Sequence, residues 1–265
     1  MGVEGVVVAD RVLLCAKQHN FEDCVALAIE HGIGIEVQTF AYPAALDGDW
    51  EGLLKQYQAA LTAIPGEIAM HGPFLDMASG SPDPLIDRVV YQRVCHALQI
   101  AEGLGARTVV FHANFIASMR NQEYRTGWTR RQIEFWGPLA EQAHKAGLVI
   151  ALENMWEFDP NIIGDVLRQV NLPGLRACLD VGHTYLFSDV ELQTWVASLD
   201  SYLIHVHLNN NNGDVDVHQG LDQGVLDYPQ ILDTLRRLPQ PPAFSLEIEH
   251  VEAMERSISL LDLPH

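Results

Sequence analysis

The sequence predicts a (β/α)8 barrel, and three observations predict it. Eight short apolar runs recur along 265 residues, each followed by a longer amphipathic segment. Alternation of this kind marks a parallel sheet closed by crossover helices. The length suits one such barrel rather than two domains, so a single domain is expected over residues 1–265. No glycine-rich phosphate turn of the GxGxxG kind is present, although an open doubly wound sheet would carry one after its first strand.

The runs are "VLLCA" (12–16), "GIEVQTF" (34–40), "EIAMHG" (67–72), "RTVVFHA" (107–113), "LVIALEN" (148–154), "LRACLDV" (175–181), "LIHVHLN" (203–209) and "AFSLEIE" (243–249). Each is rich in Val, Ile, Leu or Phe and short enough for a strand buried on both faces. The segments between them read as helices. "FEDCVALAIEHG" runs into Gly32, "HALQIAEGLGA" into Gly105 and "RRQIEFWGPLAEQAHKAG" into Gly147. In each the glycine falls where a left-handed C-cap belongs. Asp49 in "GDWEGLLKQ" and Asp227 in "DYPQILDTL" are placed to cap helix N-termini.

Composition narrows the function. Hydrophobic residues make up 48% of the chain, as in an ordinary globular protein. No apolar run approaches the roughly 18 residues that cross a bilayer, so no membrane partner is expected. The stretch "MGVEGVVVADR" lacks the basic segment of a secretory leader. Four scattered cysteines without a CxxC pair suit buried thiols in a reducing compartment, and a cytoplasmic location is expected. Lys and Arg number 16 against 35 Asp and Glu, a formal net charge of −19. Such a surface repels polyanions, whereas nucleic-acid binding relies on basic side chains neutralising phosphates. The expected partner is therefore a small-molecule substrate and not nucleic acid; no oligomeric state is read from the sequence.

In a barrel the chemistry sits at the C-terminal ends of the strands, so a polar residue closing an apolar run is informative. Glu36, His71, His112, Glu153, Asp180, His207 and Glu247 close seven of the eight runs. Parity aims them inward. In "FSLEIE", Ser245, Glu247 and Glu249 share one face, while Phe244, Leu246 and Ile248 share the other. A buried ionised carboxylate must be paired or metal-bound. One strand-end imidazole or carboxylate is more often a satisfied hydrogen-bonding group. Seven converging on one mouth call for cations, so a metal site is expected there.

The stretch "HVHLNNNNGDVDVHQG" (205–220) extends that ring. His207 ends run seven, so the loop after it lies at the mouth. Asp216 and His218 in "DVH" are spaced to join the cluster, as are Asp180 and His183 in "DVGH". His205 shares the parity of His207 one layer deeper and is expected to support rather than ligate. His19, His31, His96, His144, His250 and His265 fall on expected helices or termini and take no role in the site.

The motifs "HGPF", "VVFHA", "ALEN", "LDVGH", "HVHLNNNNGDVDVH" and "LEIE" in combination resemble the xylose-isomerase-like TIM-barrel superfamily. That superfamily includes sugar-phosphate isomerases and epimerases and the endonuclease IV group of abasic-site nucleases. The resemblance runs from "GIEVQTF" to "SLEIE", nearly the whole chain. The isomerase and epimerase branch implies one divalent metal on Glu153, Asp180, His207 and Glu247. The two glutamates would move protons through a metal-stabilised enediolate of a small sugar, sugar acid or sugar phosphate. His183 would hold a substrate oxygen. The endonuclease branch implies three zinc ions on His71, His112, Glu153, Asp180, His183, His207, Asp216, His218 and Glu247, and all nine positions are filled. One to three ions are thus expected, manganese if the carboxylates dominate and zinc if the imidazoles do.

The chain also departs from the pattern. "HLND" reads "HLNN" with Asn209 and Asn210, "HAPY" reads "HGPF" with Phe74, and no arginine lies between His207 and Leu226. The stretch "MRNQEYRTGWTRRQ" after run four holds Arg120, Arg125, Arg130 and Arg131. Guanidinium forks match phosphate, so Arg120 and Arg125 are expected to bind a phosphorylated substrate; the plainer reading is a solvated loop. Phe74 and Trp156, in "ENMWEF", are expected as apolar pocket walls, and Glu36 as a carboxylate on the substrate side or orienting a ligand. The leading expectation is an isomerase or epimerase. The alternative is a multinuclear zinc phosphoester hydrolase. A third class is a barrel that binds a ligand without turning it over.

Overall fold

The inward-facing strand residues are small and apolar at one end of the barrel and polar at the other, and that gradient places the site. The computed structural model describes residues 9–263. The terminal stretch read for a leader and His265 lie largely or wholly outside the described residues. Eight strands form: β1 Val12–Ala16, β2 Gly34–Val37, β3 Ile68–His71, β4 Thr108–His112, β5 Val149–Glu153, β6 Leu175–Asp180, β7 Leu203–Leu208 and β8 Ala243–Leu246. They pair in parallel and in sequence order, and β8 closes on β1 through Val12↔Phe244 and Leu14↔Leu246. The predicted (β/α)8 barrel is the fold.

The outer layer comprises α1 Phe21–His31, α2 Pro43–Leu46, α3 Trp50–Leu61, α4 Pro84–Leu104, α5 Gln122–Lys145, α6 Asn161–Val170, α7 Val181–Phe187, α8 Leu192–Leu199, α9 Tyr228–Arg236 and α10 Val251–Ile258. The stop and start signals work as their chemistry requires. Gly32 and Gly105 end α1 and α4 at φ 70° and 73°, a region costly for residues with a Cβ. The side chains of Asp49 and Asp227 accept from the Gly52 and Gln230 amides at the starts of α3 and α9. The second apolar run is shorter as a strand than expected. It leaves the sheet after Val37 because Thr39–Ala41 coil into a 3-10 turn.

Alternation divides the strand side chains between two cores. Phe244, Leu246, Val206 and Ile150 face outward and pack under helices that bury Trp136 and Trp195. Inside the barrel, Leu13, Ala69 and Ala243 form one layer, and Val110, Ala151 and Cys178 another. Small side chains suit this narrow interior. Among the described residues all four cysteines are free, and no helix is long and apolar enough to cross a membrane.

Candidate metal centre

Two residues further along each inward row, the apolar layers give way to donors. Ala69 leads to His71, Val110 to His112, Ala151 to Glu153 and Cys178 to Asp180. Register brings neighbours level: His112 pairs with Glu153 and Asp180 with His207. These side chains, except His112 at the rim, are almost wholly buried. The β6–α7 junction needs no loop. Asp180 closes the strand and caps the helix, its Oδ1 accepting from the His183 amide at 2.6 Å. His183 is thereby fixed beside the strand ends. Gly182 between them is obligatory in this packing, since a Cβ there would lie 2.0 Å from Asn209 Oδ1.

Glu153 is the hub. Its Oε2 lies 3.2 Å from His71 Nε2 and 3.1 Å from His112 Nε2, and its Oε1 lies 2.9 Å from His207 Nδ1. Glu247 approaches the same His207 Nδ1 from the end of β8 at 3.2 Å. A second group stands on the loop after β7: Asp216 Oδ2 is 3.1 Å from His183 Nε2, and Asp216 Oδ1 is 3.1 Å from His218 Nε2. The donors fall into four sets whose ligand atoms lie within 4.8 Å of one another. Three share His207: Cys15, Glu36 and His207; His71, Glu153 and His207; and Glu153, Asp180, His207 and Glu247; the fourth, His183, Asp216 and His218, stands apart.

The outer partners fix which nitrogen each imidazole presents. The Gly72 and Asn154 carbonyls can only accept, so His71 and His183 donate from Nδ1 at 2.8 and 2.9 Å and turn Nε2 inward. The Glu36 carboxylate accepts from His207 Nε2 at 3.1 Å, which turns Nδ1 toward Glu153 and Glu247. His205 Nε2 donates to the other side of Glu36 at 2.7 Å. Such outer hydrogen bonds orient metal ligands. Asp180 is braced likewise: Asn209 donates to its Oδ2 at 2.6 Å, and Asn154 spans its backbone N and O at 2.9 and 3.1 Å.

Electrostatics follow from this crowding. Burial works against the charged form of Glu153, but the His207 and His112 imidazoles outweigh it and hold the carboxyl well below its ordinary range. Burial pushes Asp180 up to about 6. Burial would lower His218, yet the Glu247 charge and the Asp216 hydrogen bond push it up to about 9. His112 alone among these imidazoles is lowered, its burial outweighing Glu153. The donor set fits divalent cations. Among the described residues no hydrogen bond reaches the buried oxygens Glu247 Oε2 and Asp216 Oδ1, although imidazole nitrogens stand nearby. Both carboxylates line a cup of about 110 Å³ whose one lysine, Lys17, is already paired with Glu249. Buried oxygens without donors, surrounded by nitrogen and oxygen ligands, are what a divalent cation satisfies.

All nine expected ligands are brought together, and Phe74 walls the cup with its ring centroid 5.0 Å from that of His112. Three residues expected on the substrate side stand elsewhere. Glu36 has no exposed surface and lies beneath His207. Arg120 pairs with Asp189, and Arg125 with Asp159 and Asp165, so neither guanidinium lines the cup. Acidic neighbours on later connections and on α6 claim them. Trp156 lines a larger adjoining groove, 46% exposed. Sequence reasoning missed Gln38 and Lys17, which both line the cup. Gln38 donates to Glu247 Oε1 at 2.7 Å. It lies two residues past Glu36, on the same face, and Lys17 directly follows β1, so both carried the positional signal of the others.

Comparison with known proteins agrees with this architecture. The family described as xylose isomerase-like TIM barrel matches residues 21–262. Protein MJ1311 of Methanocaldococcus jannaschii is 23% identical over 202 residues, 74% of this chain and 69% of that protein. The TTHB071 protein of Thermus thermophilus, in a crystal soaked with zinc chloride, superposes with a TM-score of 0.79 at 26% identity, covering 94% of this chain and 97% of that one. A D-tagatose 3-epimerase-like protein superposes at 0.76 with 19% identity, covering 94% and 95%; at that identity the likeness concerns the fold.

Proposed function

The chain belongs to the xylose isomerase-like TIM-barrel family, and on that premise we propose that it is a divalent-metal-dependent isomerase or epimerase of a small sugar or sugar acid. One observation carries the reading. Glu153 and Glu247 approach the same His207 nitrogen at 2.9 and 3.2 Å, from the ends of β5 and β8; Glu247 lines the cup, and Glu153 is bound to two of its walls, His71 and His112. Two carboxylates beside one space are what a proton transfer between adjacent carbons, or between two faces of one carbon, requires.

The roles divide by how each carboxylate is held. Glu247 Oε1 accepts from Gln38 while Oε2 has no donor. Burial opposes its charge, but the His207 and His218 imidazoles hold it ionised well below its ordinary range. It is the acceptor for the substrate proton. Glu153, gripped by His71, His112 and His207, is the less mobile partner; held ionised, it would first take a proton from one of these imidazoles and then deliver it to the substrate carbon, while Glu247 keeps the proton it removed until solvent takes it. Glu153, Asp180, His207 and Glu247 would hold the metal; when bound, it polarises the substrate carbonyl and its neighbouring hydroxyl. Three carboxylates and one imidazole in this set favour manganese or another oxygen-preferring divalent ion, whereas the His183, Asp216 and His218 group favours zinc. The test is exchange of substrate carbon-bound hydrogen with deuterated solvent across a panel of ketoses and keto-acids, using metal-loaded protein. Exchange that disappears in Glu247→Gln supports the reading; a full panel without exchange removes it.

A second reading has its own observation. His183, Asp216 and His218 make a separate donor group, and His71 and His112 crowd Glu153 Oε2. Nine donors exceed what one ion takes, which suits a multinuclear zinc phosphoester hydrolase. Two or three zinc ions per chain, with release of p-nitrophenol from a phosphodiester and no solvent exchange, would establish it. A phosphate-bearing substrate has little cationic support at the cup, since Arg120 and Arg125 are engaged with carboxylates.

A further inference from the structure

The metal cup opens onto a groove of about 870 Å³, and the two share Phe74, His112 and Met155 as walls. The cup itself, at about 110 Å³, has room for ions and a handful of light atoms. A substrate larger than that extends beyond the cup, and the groove is the adjoining space that shares its walls. The groove is built from the loops after β3, β4 and β5, all on the same face of the barrel. Its surface is apolar where a sugar site would be polar. Ile116, Met119 and Trp156 are 53%, 40% and 46% exposed there, next to Phe74 and Met155. Its one cation, Arg131, donates from Nε to the Gly80 carbonyl at 2.7 Å. Adjacent exposed apolar side chains beside a polar cleft mark a binding surface.

We propose that the substrate carries an apolar group, aryl or alkyl, which lies in the groove against Ile116, Met119 and Trp156 while its oxygenated head enters the metal cup. This rests on the metal-dependent reading above but holds for either chemistry at the cup. The charge balance agrees with it. Among the described residues the groove holds no unpaired cluster of basic residues for a phosphate and no stripe of cations for a nucleic acid. The side chains it offers gain by excluding water from an apolar partner.

The test uses zinc-loaded full-length protein and a hydroxamate series, because a hydroxamate head chelates metal whatever reaction the centre performs. Acetohydroxamate, benzohydroxamate and 4-phenylbutanohydroxamate are titrated by calorimetry, with intrinsic tryptophan fluorescence followed in parallel and Trp156→Phe used to assign the Trp156 share among the five tryptophans. Each longer tail is expected to bind more tightly, by roughly tenfold or more overall, and to change the tryptophan emission. In Ile116→Asp and Met119→Asp, both at exposed positions, the ratio of long-tail to short-tail affinity should fall toward one. Equal binding of all three compounds by the native chain overturns the proposal. So does a dimer, seen by sedimentation, in which the long tail gains nothing, since a second copy would then occupy the face. Failure of every hydroxamate to bind removes the metal reading and this inference with it, whereas binding without any tail preference removes this inference alone.

Discussion

His207 donates from Nε2 to the Glu36 carboxylate at 3.1 Å, and this bond aims Nδ1 at Glu153 and Glu247. Glu36 in turn accepts a hydrogen bond from His205 Nε2 at 2.7 Å, so a buried triad beneath the cup sets the orientation of a ligand above it. Glu36→Gln keeps the shape but replaces one acceptor oxygen with a donor that opposes an imidazole N–H. Metal affinity should fall about 10- to 100-fold, read by competition with a fluorescent chelator. Unchanged affinity would show that His207 is held by packing alone.

Glu153 touches His71, His112 and His207 with two oxygens. Glu153→Gln should therefore lose most bound metal and all turnover, since it is shared between donor sets. Retained metal content with normal turnover would remove Glu153 from the centre.

His218 belongs only to the group with His183 and Asp216. If the native chain binds more than one ion, His218→Ala should release about one and leave the rest, counted by inductively coupled plasma mass spectrometry. A native chain with several ions and a variant that keeps them all would place His218 outside the metal set.

Protons and metal compete for the same imidazoles. In the metal-free chain His183 and His207 are raised well above their ordinary range, and His218 stands at about 9. A base raised on folding gives stability that is complete below its unfolded value, near 6.5, and lost as pH climbs through the folded value. The partners Glu153 and Asp216 are lowered, so their share disappears only in acid. Chelator-treated protein should accordingly melt at a lower temperature at pH 9 than at pH 6.5. Zinc affinity should rise over the same window as ligand protons are released. A melting temperature that does not fall, or that falls equally in His218→Ala, would contradict the assignment for His218.

Gly182 lies where a Cβ would meet Asn209 Oδ1 at 2.0 Å, and Asn209 braces Asp180. Gly182→Ala should cost about 1–3 kcal/mol of stability through overpacking and weaken metal binding by displacing Asn209. Thermal melts and chelator competition read the two effects separately; a variant as stable and as metal-avid as the native chain would refute the packing argument.

The barrel and the strand-end ring of carboxylates and imidazoles are both legible in the sequence. The parity of "FSLEIE" put Phe244 and Leu246 outside and Ser245 and Glu247 inside, because side chains in a strand alternate whatever surrounds them. The position of His71, His112, Glu153, Asp180 and His207 at strand ends was readable because apolar runs stop there. What only the tertiary structure decided depends on partners far apart in the chain. Glu36 lies under His207 because β2 and β7 face one another across the barrel, 171 residues apart in sequence. The Arg120 and Arg125 side chains turn from the cup because Asp189, Asp159 and Asp165, on other βα connections and helices, reach them first. Neither the nitrogen an imidazole presents nor the neighbour a long side chain chooses is encoded within its own segment. Local periodicity fixes direction, and only the closed barrel fixes company.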